Sequence, residues 1–421
     1  MRVLVLGSGG REHALARALA ADPDVTALHV APGNAGTSAV ADNHPVPVTD
    51  AAAVTGLARH TAADLVVIGP EAPLVAGVGD ALRDAGIATF GPGAAAARIE
   101  GSKAFAKEIM AAAGVPTAAS RTCTGPAEVT AALDAFGPPY VVKDDGLAAG
   151  KGVLVTADRA AAQAHAAACG RVVIEEFLDG PEVSLFALAD GTDAAALLPA
   201  QDFKRAGDGG TGPNTGGMGA YVPLTWAPAD LADTVMESVI QPAIDELRRR
   251  GTGYRGLLYA GLALTSTGAR VVEFNARFGD PEAQVVLDRL ATGLAGPLHA
   301  AATGTLAGSP PLRWAPGAAV TVVLAAAGYP GRPARGDVIE GIEDAERLPH
   351  AYVLHAGTAV DGAGQIVSAG GRVLDLVGTG PDVAAARAAA YQAADLIRMN
   401  GGWYRSDIAA DAASMEHAGR P

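Results

Sequence analysis

Short apolar runs in the first hundred residues each end in a glycine-bearing loop and give way to a helical stretch. This alternation restricts the fold more than any other feature. Residues 3–6 are apolar, break at Gly7 and lead into a helix over about 13–21. Residues 28–31 end in Pro32-Gly33-Asn34-Ala35-Gly36, and 65–68 end in Gly69-Pro70-Glu71. A helix over 79–85 then leads to Thr89-Phe90-Gly91. Strands separated by helices imply a parallel sheet, whose ligands bind at the carboxyl ends of its strands. The loops at those ends carry the glycines and Glu71, so a binding site belongs there.

A second unit begins near Gly101-Ser102-Lys103, where Ser102 can cap a helix running to Ala113. Closely spaced strands follow at 140–143, 153–156, 172–176 and 183–189. A glycine-rich stretch spans 207–219, and a long helix is expected over 228–250. Strands 257–265 and 270–275 meet at a turn on Gly268. After about residue 312 a third unit, mostly strands (319–325, 352–357, 370–377), closes with a helix near 382–399. No internal repeat is visible. A chain of 421 residues fits about three such units.

Composition narrows the class. With 49% hydrophobic and 18% charged residues the chain is expected to be soluble and globular. The 54 glycines punctuate loops and follow no period of three, which excludes collagen. The net charge of −14 argues against nucleic-acid and anionic-membrane partners, which need an excess of Lys and Arg. A phosphate-bearing ligand must therefore be met by a local cluster of cations and backbone amides. The two cysteines, Cys123 and Cys169, form no CxxC pair, which excludes a cysteine-based metal site or disulfide framework and suits a cytoplasmic location. Neither a signal peptide nor a membrane span is expected. The alanine-rich stretches 160–168 and 384–390 are expected to be helical.

Four segments carry chemistry. Gly7-Ser8-Gly9-Gly10-Arg11-Glu12-His13 opens a helix, whose free amides suit an anion. Glu12 occupies the third glycine position of the dinucleotide fingerprint, and the second strand lacks the acid expected on a ribose, so a dinucleotide is disfavoured. A phosphate on a smaller metabolite and a plain tight turn both remain open. In Lys143-Asp144-Asp145-Gly146-Leu147-Ala148-Ala149-Gly150-Lys151-Gly152 the spacing is not that of a P-loop, and a strand follows. It reads as a glycine-rich hairpin that can close over a triphosphate with Lys143 and Lys151 offsetting charge; a mobile exposed hairpin is the plainer alternative. On the strand 270–277, Glu273 and Asn275 point to one face and Phe274 to the core. Two oxygen donors so spaced suit Mg²⁺, and Arg277 on the same side can hold an anion. A solvated polar face is the alternative there, as it is for Glu175-Glu176 at the strand end before Phe177, with Glu182 beyond. The histidines show no ligand spacing.

Taken together, GSGGREHALA, APGNAG, IGPEAPLVAG, EGSKAFAK, KDDGLAAGKGV, VIEEFLDGPEVS, GPNTGGMGAY, EFNARFGDPEAQ, HAGT and SAGGRVL occur in order along essentially the whole chain. In these motifs the chain resembles the phosphoribosylamine–glycine ligases, also called glycinamide ribonucleotide synthetases, of the ATP-grasp superfamily. The resemblance implies an α/β multidomain fold: a Rossmann-like N-terminal domain (1–101), an ATP-grasp core of two α+β subdomains (102–312, with a lid over about 118–190), and a small, mostly β C-terminal domain (313–421). It implies ATP, with Mg²⁺ or Mn²⁺, joining glycine to 5-phosphoribosylamine through glycyl phosphate, giving glycinamide ribonucleotide, ADP and phosphate for purine biosynthesis. A cytoplasmic monomer or weak homodimer is expected.

The same resemblance assigns roles. Lys103 and Lys143 contact ATP phosphates, Lys151 belongs to the lid, Glu175 and Phe177 lie beside the adenine, and Glu182 takes the ribose. Glu273 and Asn275 hold the metal, while Arg277, with Lys143, stabilises the transferring phosphoryl group. Gly9, Gly10 and Arg11 are placed for the phosphate of the amine substrate, with Glu71 near its ribose or amine. Asp202, Lys204, Asn214, Thr215 and Asp280 surround the glycine and amine. No proton-transfer residue is indicated.

Two positions depart from the family pattern, which often reads Lys-Ala-Asp-Gly at 143–146 and Asp-His-Lys-Arg at 202–205. Asp144 adds a charge beside Lys143, and Phe203 is expected to remove a polar group near the glycine site. Phe203 is the sole sequence support for an alternative, a paralogue joining another small amino acid to a phosphoribosyl amine. A nucleotide-binding regulator without catalysis would be expected to lack Glu273, Asn275 or Arg277, and all three are present.

Overall fold

The apolar runs of the first hundred residues form a five-stranded parallel sheet, in the order Asp42–Asn43, Ala27–Pro32, Arg2–Gly7, Leu65–Ile68, Ala88–Phe90. Val3, Leu4, Val5 and Leu6 are fully buried, as a strand covered by helices on both faces requires. The chain is seen here as a computed structural model that describes residues 1–147 and 152–418. Lys151 lies outside the described residues.

The middle of the chain builds two antiparallel sheets. The first runs Ser120–Cys123, Val172–Glu175, Tyr140–Asp144, Val153–Thr156. Helices Pro126–Phe136 and Arg159–Cys169 cover one face of it through Leu133, Ala132, Ala162 and Ala166. The second runs Ala194–Ala196, Glu182–Asp190, Arg255–Thr265, Gly268–Asn275. Strand Glu182–Asp190 therefore belongs to the second sheet, and the lid sheet ends at Glu175, short of the span to about 190 expected from the sequence. The crossing falls at Gly180, whose φ of +100° and close approach to the Leu264 carbonyl leave no room for a Cβ.

A third antiparallel sheet runs Gln201–Asp202, Gly219–Val222, Ala318–Ala325, Arg372–Gly380, Ala351–His355, with helix Val383–Leu396 packed across it. Gln201–Asp202 and Gly219–Val222 thus join the sheet of the C-terminal part of the chain, through the pairing of Gly219–Val222 with Ala318–Ala325. The helix expected over 228–250 is interrupted: Leu231–Val235 passes through a π-helical turn, Met236–Ile240, into Gln241–Arg249. Pro242 has no N–H to donate, so the ordinary ladder cannot continue through it.

Close approach of backbones joins the parallel sheet to the second antiparallel sheet. Gly256, at φ +141°, lies against Gly91 so tightly that a Cβ would come within 2.9 Å of the Gly91 α-carbon. Gly256→Ala should therefore destabilise the fold by about 1–3 kcal/mol, seen as a lower midpoint in chemical denaturation. An unchanged midpoint would mean this contact is slack.

Candidate active site

The parallel sheet, the three antiparallel sheets and the helix Lys103–Ala113 surround one cavity of about 630 Å³. Its first wall is a bank of lysines. The Ser102 hydroxyl accepts from Phe105 N (3.2 Å) and starts the helix that carries Lys103 and Lys107. The hairpin residue Asp145 accepts from Ser102 Oγ (2.9 Å) and Ala104 N (3.1 Å), fixing the lid sheet to that helix end. Lys103 Nζ donates to Gly146 O (3.0 Å).

Glu175 is 3% exposed and sits between two cations: Lys143 Nζ is 2.9 Å from Oε2 and Lys107 Nζ is 3.0 Å from Oε1. Lys143 also donates to Val272 O (2.8 Å), and Lys107 to Thr117 Oγ1 and Ala118 O (2.8 and 2.9 Å). The Glu175 carboxylate is thus occupied by the lysines, and the apolar contact expected beside an adenine falls to Phe177, 48% exposed, with Leu178, Val141 and Val155 also lining the cavity. Burial, reinforced by the Lys143 charge, holds the Lys107 pKa below its usual value despite Glu175.

The second wall is acidic. Glu273 and Asn275 face the cavity while Phe274 is buried in the core, as strand alternation requires. Lys204 lies 2.5 Å from Glu182 and 3.9 Å from Glu273. Burial opposes the charge on Glu273, but Lys204, Lys143 and Lys103 hold its pKa below the ordinary carboxylate value. Asp202 differs: burial, with Glu282, Glu182 and Glu273 adding to it and Lys204 opposing, pushes its pKa up to about 7. Glu282 is itself buried and accepts from Tyr259 (2.8 Å) and Ser184 (3.1 Å).

The third wall gathers arginines. Arg277 Nη2 lies 3.0 Å from Glu100 and Nε 3.5 Å from Glu71, and Nε makes no hydrogen bond. Burial works against the Arg277 charge, yet Glu100 and Glu71 hold its pKa above the usual arginine value. Burial likewise opposes the Glu71 charge, but Arg277 and Arg11 keep it ionised below its usual pKa. Arg372 Nη2 is 3.0 Å from Asp280 Oδ2 and its Nη1 donates to Gly216 O and Asp280 O, both at 2.6 Å. Arg11 lines the cavity, held by Glu12 (2.5 Å) and Phe278 O (3.0 Å).

Every described candidate residue lines this cavity except Gly9 and Gly10. The Gly9 N–H donates to Glu12 Oε2 (2.6 Å), and the Glu12 side chain fills the space beside Gly7 and Gly69. The residue in the third glycine position thus takes the amide expected to meet a phosphate. Gly10 is bare because Asp375 and Gln284 press on its α-carbon. Phe203 also departs from expectation. It packs near Tyr221, with the Arg405 guanidinium 5.2 Å from its ring, and does not line the cavity. Between Asp202 and Lys204, which face in, it faces away. Asp144 pairs through its backbone with Gly152 O (2.8 Å).

Sequence reading did not single out Glu100, Lys107, Glu282, Tyr259 and Arg372. Glu100 and Lys107 are the two ends of EGSKAFAK, and Arg372 is the arginine of SAGGRVL, so a signal existed in those motifs. The described residues contain no group of three His, Cys, Asp or Glu able to hold a metal ion. Glu273 and Asn275 nonetheless present hard oxygen donors to the cavity, which fits an ion that takes its other ligands from phosphate and water.

Comparison with known proteins places the chain in a family. Family models described as the N domain, the ATP-grasp (A) domain and the C domain of phosphoribosylglycinamide synthetase match residues 1–100, 101–283 and 319–411. A phosphoribosylamine–glycine ligase of Streptomyces coelicolor is 66% identical over 415 residues, covering 98% of this chain and all of that one. One from Mycobacterium tuberculosis is 60% identical over 422 residues, covering 98% and 99%. The crystal structure of a phosphoribosylamine–glycine ligase from Thermotoga maritima superposes with a TM-score of 0.84 at 35% identity, covering 97% of this chain and all of that one. The chain belongs to the phosphoribosylglycinamide synthetase family.

Glu175→Ala should leave Lys107 and Lys143 buried side by side with no counter-ion. Breaking a buried pair in this way costs roughly 3–5 kcal/mol, which chemical denaturation would register, and ATP affinity should fall with it. Wild-type stability and ATP affinity in the variant would show that the lysines are held without this carboxylate.

Proposed function

We propose that this cavity carries out the family's reaction with the residues described above. The chain is a carbon–nitrogen ligase of purine biosynthesis that joins glycine to 5-phosphoribosylamine, and it uses ATP. The observation that supports the residue assignments is the division of one cavity into a lysine bank, a pair of oxygen donors and an arginine cluster. A triphosphate, an amino-acid carboxylate and a sugar phosphate all need cations, which a chain of net charge −14 supplies only locally.

A carboxylate is a poor electrophile. A glycine oxygen therefore attacks the γ-phosphorus of ATP, the bond to the β-phosphate oxygen breaks, and ADP leaves. The amine nitrogen of phosphoribosylamine attacks the carbonyl carbon of the resulting glycyl phosphate, phosphate leaves, and the nitrogen loses a proton. Lys143 and Lys103 neutralise the phosphate chain, and Phe177 packs against the base. Glu182 meets the ribose, and Arg277 faces the charge that builds on the transferring group. Glu273 and Asn275 would hold Mg²⁺ or Mn²⁺, which when bound adds Lewis-acid neutralisation of the phosphates. Arg11, Glu71 and Asp280 take the phosphoribosylamine end, and Lys204, Asn214 and Thr215 the glycine end. Asp202 is the proton acceptor, because it lines the cavity and its pKa of about 7 suits that task.

In this reading the chain divides near residues 101 and 312 and works in the cytoplasm on small molecules alone, as a monomer or weak homodimer. Among the described residues no helix is long and apolar enough to cross a membrane. The altered-specificity reading loses its support, since Phe203 faces away from the cavity.

Phosphate release from ATP with Mg²⁺ should depend on both glycine and phosphoribosylamine. Release with alanine or serine but not glycine would contradict the assignment. Glu273→Ala should abolish turnover without a change in the far-ultraviolet dichroism; wild-type turnover at limiting Mg²⁺ would refute the metal ligand. For Asp202, protonation removes the acceptor, so kcat/KM, which reports the free enzyme, should fall as pH drops through about 7. Asp202→Asn should lower kcat roughly 10²-fold and abolish that limb. An unaltered pH profile would assign the proton elsewhere.

A further inference from the structure

The glycine-rich stretch forms a hairpin, Arg205–Gly207 with Thr211–Asn214, that pairs with no other strand among the described residues. Two strands alone are marginally stable in water, and Gly209, Gly210 and Gly212 at its tip all have positive φ. Yet its two ends carry Lys204, Asn214 and Thr215 into the cavity. On the inner side Thr215 N and Oγ1 both donate to Lys204 O (2.7 and 2.9 Å), which ties the ends together without fixing the tip.

The tip is held from outside by a segment near the C-terminus. Ser406 N and Oγ donate to the Asp208 carboxylate at 2.9 and 2.5 Å, and Gly209 N donates to Asp407 Oδ2 at 2.7 Å. Arg405, 3% exposed, forks onto Asp407 with both contacts at 2.7 Å. Its third nitrogen donates to Arg205 O (3.0 Å), and its central carbon lies over the Phe203 ring. The segment is in turn pinned to helix Val383–Leu396. Arg387 donates to Ser406 O and Ile408 O (2.6 and 2.9 Å), and Tyr391 donates to Arg405 O (2.6 Å). Phe203 thus has a place in this account: it offers the guanidinium an aromatic face midway between two cavity residues.

We propose that Arg405, Ser406 and Asp407 are positioning residues that hold the 205–214 hairpin so that Lys204, Asn214 and Thr215 face the substrates. They touch no substrate themselves. Which substrate feels their loss rests on the glycine-end assignment above; the hairpin's restraint does not. The adenine and phosphate walls stand on other elements and only Glu182, at the ribose, meets Lys204, so the effect should be much larger on glycine than on the nucleotide.

The test uses the full-length protein. Asp208→Ala cuts the Ser406 bonds at an exposed position and touches no core, whereas Arg405→Ala removes the Asp407 fork, the bond to Arg205 O and the ring contact. Both should raise the KM for glycine, by roughly tenfold or more for Arg405→Ala, while ADP affinity stays within about twofold of wild type. Arg405→Lys keeps the charge but loses the planar fork, so it should not restore the wild-type KM. Amide hydrogen exchange should speed up over residues 205–216 and not in the parallel sheet. Wild-type glycine KM and wild-type exchange in both variants would overturn the proposal, as would exchange that accelerates equally across the whole chain. If the wild type itself showed no glycine-dependent turnover, the functional reading would fall and the exchange result would still decide the hairpin's restraint.

Discussion

Cations gathered in one cavity repel each other, and the structure depends on how buried carboxylates hold them there. Glu175 lies between Lys107 and Lys143, and Glu100 lies against Arg277 while also accepting from Ala276 N (2.7 Å). These pairs are also mechanical joints. Glu175 ends a lid strand, Lys143 reaches across to Val272 O of the second sheet, and Lys107 stands on the helix between them. Burial raises the Glu100 pKa, and the neighbouring Arg277 opposes that rise. A chain of net charge −14 presents phosphate-binding charge by sorting it within the cavity, with Lys103, Lys107 and Lys143 on one wall and Glu182, Asp202 and Glu273 on another.

Several motifs that mark the family act as joints between parts of the chain. Asn34 of APGNAG donates to Ser8 O (2.9 Å) and to His355 O of HAGT (2.7 Å). His355 N donates in turn to His13 Nδ1 (2.8 Å). Burial pushes the two imidazoles down to about 3 for His13 and about 4 for His355, so both stay neutral at the joint. Gly36 has no side chain because His13 Cε1 and the His355 ring occupy its place. Behind the first loop, burial and Asp280 push Asp375 up to about 7, and Gln284 bridges it to Asp280 (2.9 and 2.8 Å). The first and last parts of the chain therefore meet directly behind the arginine wall.

Local rules made much of this legible in the sequence. The strand–loop–helix alternation gave the parallel sheet, Ser102 read as a cap, and the period of two placed Glu273 and Asn275 opposite Phe274. What stayed hidden depends on partners distant in sequence. Glu12 fills its own helix entry, and only the folded loop shows that the Gly9 amide is taken. The family pattern Asp-His-Lys-Arg puts Phe203 beside the glycine site, but its ring meets Arg405, some two hundred residues away, on the other side. Arg372 arrives from the third sheet, whose pairing with Gln201–Asp202 and Gly219–Val222 no local pattern announces. Within the single helix expected over 228–250, Pro242 opens the last segment directly after the π turn.

The central claim is that the lysine and arginine walls bring ATP and the glycine carboxylate together for phosphoryl transfer before the amine attacks. Glycine labelled with oxygen-18 in its carboxyl group tests this directly. In a complete reaction with ATP, Mg²⁺ and phosphoribosylamine, the account predicts that the released phosphate carries one labelled oxygen per turnover. Phosphate released without label, alongside labelled amide product, would contradict it.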